Sequence, residues 1–198
     1  MQYAIYAAPR SGTNYLKRLI DLNSTTAVAT QNKGLWKHDL WPTTPELRGA
    51  QMLTIIKHPH AWLNSMYRFM RFNAKHRDDQ MPPWFSTPAK SFEQWLGTSL
   101  GPLQLFHSPL DLYKHYILNA SQREAIFVRY ETLVADPRGA LEKAMPSEHW
   151  SHAFTGEHRR VLPSGNTILL SKELYARPKD HPCPACPELV QLYNSRGF

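Results

Sequence analysis

Apolar residues along the chain occur in three short runs, each followed by a segment in which apolar residues recur at helical spacing. The runs are Gln2–Ala7, Met52–Ile56 and Ala125–Tyr130. Short apolar runs of this kind are typical of buried strands, and the recurring i, i+3, i+4 spacing is typical of helices. Strands that alternate with helices predict an α/β fold with a central parallel sheet flanked by helices, in which ligands bind at the carboxyl ends of the strands.

The segments between the runs predict the helices. In "TNYLKRLIDLN" an apolar stripe predicts a helix that begins near Asn14 and stops at Asn23, with the stripe made by Tyr15, Leu16, Leu19, Ile20 and Leu22. "HAWLNSMYRFMRF" predicts a second helix, and "ETLVADPRGALEKAM" predicts a short helix, a turn at Asp136–Pro137 and another helix. Residues 91–121 predict two more helical pieces. The polar, proline-rich segment 73–90 is predicted to be a loop or lid.

The length of the chain sets the expected number of domains. It has 198 residues, 42% of them apolar or aromatic, which is enough for one substantial core and too few for two full domains. We therefore expect a single domain over residues 1–198. Beyond about Pro146 the periodicity weakens and prolines accumulate, so the pattern predicts no element for 146–198.

Charge and cysteine content narrow the function. The net charge of +7 suits an acidic ligand, but Lys and Arg are scattered and form no dense run, which argues against nucleic-acid binding. The two cysteines, Cys183 and Cys186, rule out a disulfide framework, and with His181 they fall short of the four ligands that a structural zinc requires. We therefore expect no metal. No apolar stretch has the length of a signal peptide or membrane span, so we also expect a cytoplasmic protein.

The first loop has the composition of a phosphate cradle. In "YAAPRSGTNYL" the backbone amides of Ser11, Gly12 and Thr13 are expected to point into one concavity at the positive end of the following helix, and Arg10 adds a cation. Gly12 allows close approach. The loop lacks the Gly-Lys-Ser/Thr ending of an ATP-binding P-loop. An ordinary helix N-cap and turn is the alternative interpretation.

Three segments in a fixed order carry a family resemblance. "PRSGTNYL", "KHPHAWLNSMYRF" and "FVRYETLVADPRGAL" together resemble the sulfotransferase family, which has a P-loop-like fold and takes a sulfuryl group from 3′-phosphoadenosine 5′-phosphosulfate (PAPS). The resemblance covers about residues 1–145. Residues 146–198 are unmatched, and the family's C-terminal Arg-x-Gly segment has no counterpart there beyond the candidates Arg159, Arg160 and Arg196-Gly197.

The resemblance implies a set of nucleotide-binding residues. Lys57 and Ser65, eight positions apart, take the place of the family's Arg and Ser that bind the 3′-phosphate, and Tyr130 takes the place of the Tyr near the adenine. The 5′-phosphosulfate falls to the first loop, through Arg10, Ser11, Gly12, Thr13, Asn14 and Tyr15. Asn14 and Tyr15 stand where the family often has Thr and Trp. Lys57 keeps the charge of Arg without its bidentate fork.

The catalytic residues are expected in "GLWKHDLWP". The family carries a Lys-x-His-x-x-Pro element whose His is the base, and the resemblance implies His38 as base, with Asp39 as the alternative because the register differs by one residue. An imidazole titrates near neutrality and accepts a proton more readily than a carboxylate does. Arg10 and Lys37 are expected to stabilise the oxygen of the leaving nucleotide, and no metal is required.

The acceptor remains open at this stage. Glycan, lipid, small phenol and peptide hydroxyls or amines all fit, and Trp36, Trp41 and Trp84 are candidates for lining an acceptor pocket. Two other functions stay open. One is a small nucleotide kinase of similar architecture, and the other is a catalytically degenerate member of the family that binds a nucleotide or polyanion without turnover.

Overall fold

The structure of the chain is a computed structural model. It describes residues 3–29, 31–32, 35–36, 38–40, 50–76, 91–156, 158–161, 167–170 and 186–196. Four strands form a parallel sheet in the order β2-β1-β5-β6, where β1 is Tyr3–Ile5, β2 is Val28–Ala29, β5 is Gln51–Ile56 and β6 is Ile126–Arg129. The predicted parallel sheet flanked by helices is confirmed.

Two further pairs of short strands are antiparallel. One pair is β3 (Gln31–Asn32) with β4 (Leu35–Trp36), and the other is β7 (His158–Val161) with β8 (Thr167–Leu170). The helices are α1 (Thr13–Asn23), α2 (Pro59–His76), α3 (Phe92–Leu96), α4 (Pro109–Gln122), α5 (Tyr130–Ala135), α6 (Pro137–Ala144) and α7 (Pro187–Asn194). No helix within the described ranges has the length and apolar character needed to cross a bilayer.

The sheet separates two apolar clusters because successive side chains of a strand point to opposite faces. Leu53 and Ile55 of β5 pack with α1, α5 and α6, whereas Met52 and Ile56 pack on the other side with α2, α3, α4 and α7. Full burial of a side chain such as Leu53 contributes about 1.5–3 kcal/mol. Both faces of the sheet are therefore covered, and the carboxyl ends of its strands are the places where a ligand is expected.

The predicted helices are present, with one correction to the buried face of α1 and one to the end of α2. Leu22, assigned to the apolar stripe of α1, is 37% exposed, and the prediction for it is wrong. Asn23 takes the inward position instead, because its amide donates to Leu19 O at 2.8 Å and to Thr155 O at 2.9 Å. Residues 73–76, predicted as the start of a loop, belong to α2, and residues 77–90 lie outside the described part of the chain.

Candidate functional site

The central strands β1 and β5 are neighbours, and the chain that leaves their carboxyl ends forms the candidate site. After β1 the chain continues through Tyr6, whose N–H still donates to Leu53 O at 2.9 Å, into the loop 7–12. After β5 it turns at Lys57 and enters α2 at Pro59. This is the edge of a parallel sheet at which ligands are expected.

The backbone of the first loop adopts two left-handed conformations. Arg10 has φ of 67° and Gly12 has φ of 109°. A Cβ at position 12 would lie 2.6 Å from Tyr130 Cδ2, so Gly12 satisfies both a positive φ and a close approach to a ring. The positive φ of Arg10 strains its backbone, since Arg10 is not a glycine. Such strain is common in loops whose shape is fixed for a ligand.

The start of α1 has the features of an anion site. Gly12 is the N-cap residue, no side chain caps the helix, and its first turn contains no acidic residue. Ser11 is fully buried, and its Oγ has no hydrogen-bond partner. A buried hydroxyl without a partner beside an uncapped helix N-terminus matches the needs of a phosphate or sulfonate oxygen.

Not all of the predicted loop residues have the predicted environment. The N–H of Ser11 donates to Ala8 O at 3.3 Å within the turn. Thr13 is buried, and Asn14 is exposed at the first turn of α1. Tyr15 is buried in the apolar cluster on the α1 side of the sheet, and its hydroxyl donates to Gly156 O at 2.9 Å. Its ring and hydroxyl therefore contribute to the core.

Lys57 lies directly beside the loop. Its Nζ is 4.0 Å from the centre of the Tyr130 ring, a cation–π contact. Burial lowers the pKa of Lys57 to about 8, the positive charges of Arg10 and Arg68 lower it further, and the carboxylate of Glu131 opposes them. The loop, the end of β5 and α2 thus place the positive charges of Arg10, Lys57 and Arg68 within electrostatic reach of one another, and an anion would relieve their mutual repulsion.

Two stacked aromatic rings connect the loop to Lys57. The indole N–H of Trp62 donates to Pro9 O at 2.7 Å, and the Trp62 ring stacks on Tyr113 with centres 4.4 Å apart. The Tyr113 hydroxyl accepts from Lys57 N–H at 2.8 Å and also donates to Lys57 O. These contacts fix the backbone on both sides of the site with groups from α2 and α4.

The middle of α2 supplies further polar groups. Ser65, predicted to bind the 3′-phosphate, is half-exposed, and Arg68 is exposed one helical turn later on the same side of α2. Arg10 extends toward this helix, with its guanidinium 5.0 Å from the centre of the Phe69 ring. Sequence reasoning missed Arg68, although its spacing of three from Ser65 was a usable signal.

Tyr130 is more enclosed than a nucleotide-stacking ring needs to be. It is 6% exposed, because it lies against Gly12 on one side and beneath Lys57 on another. The ring of Tyr130 therefore supports Lys57 in this structure, in addition to the position near the adenine that the sequence predicted for it. Stacking of a base on this ring requires one of these two contacts to open.

His38 is held against the start of the loop. The residue is 9% exposed, its Nδ1 is 2.7 Å from Ala7 O, and the Tyr116 hydroxyl donates to His38 O at 2.6 Å. A carbonyl oxygen can only accept, so Nδ1 carries a hydrogen and Nε2 is the proton-accepting nitrogen of the neutral ring. This tautomer is the one required of a general base acting through Nε2.

Asp39, the alternative base, has a different surrounding. It is half-buried on the side of α4, where burial raises the pKa of Tyr116 and the charges of Tyr6 and Asp39 raise it further. The structure thus brings His38 to the loop through Ala7, and it places Asp39 near two tyrosine hydroxyls.

Several candidate residues lie outside the described part of the chain: Lys37, Trp41, Trp84, His181, Cys183 and Gly197. Trp36, Arg159 and Arg160 are described only as strand backbone in β4 and β7. Arg196 follows α7 and lies over Phe127 in the sheet, 5.9 Å from the ring centre. Within the described residues no group of three His, Cys, Asp or Glu side chains could hold a metal ion.

A shallow depression of about 400 Å³ lies elsewhere on the protein, and none of the candidate site residues lines it. Its surroundings adjoin the far end of α1, where Ser151 N–H donates to Asn23 O at 2.7 Å. Arg138 and Glu142 in its wall already pair with each other at 2.7 Å. We therefore regard the loop, with its unpartnered hydroxyl and its cations, as the candidate site.

Comparisons with protein-family models, with curated proteins and with solved structures return no match for this chain. The class that the fold defines is thus a mixed α/β protein with a parallel sheet flanked by helices. The functional argument depends on the local geometry of its candidate site.

Proposed function

We propose that the chain is a PAPS-dependent sulfotransferase with a P-loop-like fold, which moves a sulfuryl group to an acceptor hydroxyl or amine. One observation carries the proposal: the loop 9–12, Lys57 and His38 converge at the carboxyl ends of adjacent parallel strands. A phosphate-type loop, a second cation and a correctly protonated imidazole are the three parts that this chemistry needs.

The donor would be held by residues of two strands. Ser11 Oγ, Gly12 and the uncapped start of α1 suit the 5′-phosphosulfate, with Arg10 as the cation beside them. Lys57 and Ser65 suit the 3′-phosphate, because both belong to the segment that follows β5. When bound, PAPS supplies a sulfuryl group that is already activated by its nucleotide leaving group.

His38 would act on the acceptor. Its Nδ1–H is held by Ala7 O, so Nε2 can take the proton of an acceptor hydroxyl as the new O–S bond forms and the bond to the nucleotide phosphate breaks. Arg10 would stabilise the charge that develops on the departing phosphate. Lys37 is proposed for the same role from the sequence alone.

Two other functions remain as alternatives to this proposal. An ATP-dependent kinase is disfavoured by the absence of Gly-Lys-Ser/Thr after Gly12. A nucleotide-binding protein without turnover stays open for two reasons: Lys57 stands where the family has an arginine with a bidentate fork, and residues 146–198 have no match to the family.

Thermal shift separates the three functions. The melting temperature is measured with 3′,5′-diphosphoadenosine (PAP), AMP and ATP, and sulfated product is measured from PAPS with phenol, glycan, lipid and peptide acceptors. A sulfotransferase is stabilised more by PAP than by AMP and gives product. Stabilisation by ATP alone favours the kinase, and stabilisation by PAP without product from any acceptor favours the binding protein.

A further inference from the structure

The carboxylate of Glu131 joins three separate parts of the chain next to Lys57. Its Oε1 accepts the backbone N–H of His58 at 2.9 Å, and its Oε2 accepts the hydroxyl of Tyr193 at 2.8 Å. The Tyr193 ring also meets the His58 ring edge-on, with centres 5.4 Å apart. Glu131 thereby connects α5, the turn after β5 and the C-terminal helix α7.

The surroundings of Lys57 need a negative charge. Its ammonium lies on the Tyr130 ring, with Arg10 approaching from the loop and Arg68 from α2. Burial raises the pKa of Tyr113 from α4 well above its usual value, so that hydroxyl stays neutral. Glu131 is the carboxylate that acts on Lys57 from α5. The neighbouring imidazole of His58 is in ring contact with His60 and can only add positive charge.

The hydrogen bond from Tyr193 keeps the carboxylate in place. Burial and the nearby charge of Glu131 raise the pKa of Tyr193 above its usual value, so its hydroxyl remains a donor. Arg129 in turn holds the end of α7 by donating to Asn194 O at 2.7 Å and to Arg196 O at 2.9 Å. The helix α7 is thus docked on the same turn that carries Lys57.

We propose that Glu131 is a positioning residue of the nucleotide site: it fixes the turn 57–59 against α7 and supplies the counter-charge to the half-buried Lys57. The inference rests on the proposed function, in which Lys57 meets the 3′-phosphate. It assigns to α7 a part in that site that no sequence motif of the chain indicated.

The substitution Glu131→Gln separates charge from shape. The amide oxygen of Gln can still accept the N–H of His58, but the negative charge is gone. Without that charge the pKa of Lys57 falls below its value of about 8, so the lysine becomes neutral at a lower pH. At acid pH Lys57 is charged in both proteins, and the variant then lacks only a carboxylate that repels the phosphate.

The test is PAP binding by calorimetry between pH 6 and pH 9. We expect Glu131→Gln to bind PAP within about twofold of the parent, or more tightly, at pH 6 and about threefold more weakly near pH 8, and we expect the two proteins to converge toward pH 9, where Lys57 is mostly neutral in both. Glu142→Gln, which removes an exposed carboxylate paired with Arg138 on α6, is the matched control and should follow the parent. The same pH profile for parent and Glu131→Gln, or an equal change in Glu142→Gln, overturns the proposal.

Two further measurements keep the inference independent of folding and of the proposed function. Tyr193→Phe removes only the hydroxyl on Oε2, and we expect PAP affinity to fall about threefold or more across the pH range; an unchanged affinity excludes the role of α7. The Lys57 side chain is also titrated by NMR without nucleotide. A lower midpoint in Glu131→Gln supports the inference even if PAP fails to bind the parent, and an unchanged midpoint refutes it even if PAP binds.

Discussion

The ring of Tyr130 packs directly against the backbone of Gly12, so closely that a Cβ at position 12 would lie 2.6 Å from Cδ2 of the ring. The same ring carries the Lys57 ammonium at 4.0 Å on its face. The first loop and the turn after β5 therefore share one aromatic side chain, and a displacement of that ring changes both.

Gly12→Ala is the direct test of this packing. The φ of 109° is strained for alanine, and the new methyl group displaces Tyr130, so we expect the free energy of unfolding to fall by about 1–3 kcal/mol. PAP affinity should fall as well, because a displaced Tyr130 ring no longer holds the Lys57 ammonium by its cation–π contact. Urea unfolding and calorimetry measure the two effects.

Gly97→Ala is the control for Gly12→Ala. Gly97 has φ of −88°, and a Cβ there would be 3.7 Å from Gln94 O, an ordinary contact. We expect stability to change little at this position and PAP affinity to stay the same. Equal losses in the two variants would contradict the account given for Gly12.

The charge of Lys57 is expected to make anion binding at the proposed site dependent on pH. Its pKa of about 8 lies below the unperturbed value, so the lysine is charged below pH 8 and loses its proton above it. Affinity for PAP is therefore expected to be full below about pH 8 and to decline as pH rises past it, whereas AMP binding stays nearly flat. Lys57→Ala should weaken PAP at pH 7 about tenfold or more, since a charge-assisted contact contributes about 1.5–3 kcal/mol.

Lys57→Arg provides the complementary test of that charge. A guanidinium remains protonated throughout the accessible range, so the pH dependence between 7 and 9 should disappear. Calorimetry across this range decides the matter. Persistence of the parent profile in Lys57→Arg would assign the titration to another group.

His38 separates an enzyme from a binding protein. His38→Asn keeps an N–H that can donate to Ala7 O but lacks a basic nitrogen, so we expect PAP binding to stay within about threefold while turnover falls at least about a hundredfold. Turnover in the parent should also fall in acid, because a protonated ring accepts no proton. Asp39→Asn is the control: loss of turnover there, with His38→Asn active, would move the base by one residue.

Arg68 is expected to contribute to phosphate binding from outside the family motif. It acts electrostatically on Lys57 and follows Ser65 by one helical turn, so Arg68→Ala should weaken PAP several-fold at low salt and little at high salt. Arg71→Ala is the matched control, because the Arg71 guanidinium lies 5.6 Å from the Tyr67 ring centre and Arg71 is not among the charges that shift the pKa of Lys57. Equal effects of the two variants would show that Arg68 acts only through the net charge of the protein and has no specific place in the site.

Local pattern was enough to predict three of the four strands of the parallel sheet and the helices α1 to α6, whereas the short strand β2 and the helix α7 were not predicted. The turn at Asp136–Pro137 is present, because Asp136 caps α6 by accepting Gly139 N–H at 3.0 Å. The same kind of reasoning failed at Leu22, where an apolar residue is exposed and Asn23 is buried. Periodicity cannot distinguish the two, since the burial of Asn23 depends on Thr155, far along the chain.

The sequence predicted the loop and the cations of the candidate site, because these are marked by local motifs. It did not predict the contacts that support them. Adjacent residues such as Ser11 and Gly12 can be recognised as a loop, but the approach of Tyr130 to Gly12 depends on strand β6, which lies two positions from β1 in the sheet. The lowered pKa of Lys57 likewise needs burial and charges from two other segments. No local pattern predicted the docking of α7 through Glu131 and Tyr193, because these two residues are 62 positions apart in the sequence.

The stacked pair of Trp62 and Tyr113 has a consequence for the order of folding. Pro9, Lys57, Trp62 and Tyr113 come from four different segments, and the backbone of the site is fixed only when α4 has docked against α2. Contacts between distant segments form late, after local helices and hairpins. We therefore expect ligand competence to be acquired late in folding, and we expect binding of the proposed nucleotide to report complete folding where helical content alone does not.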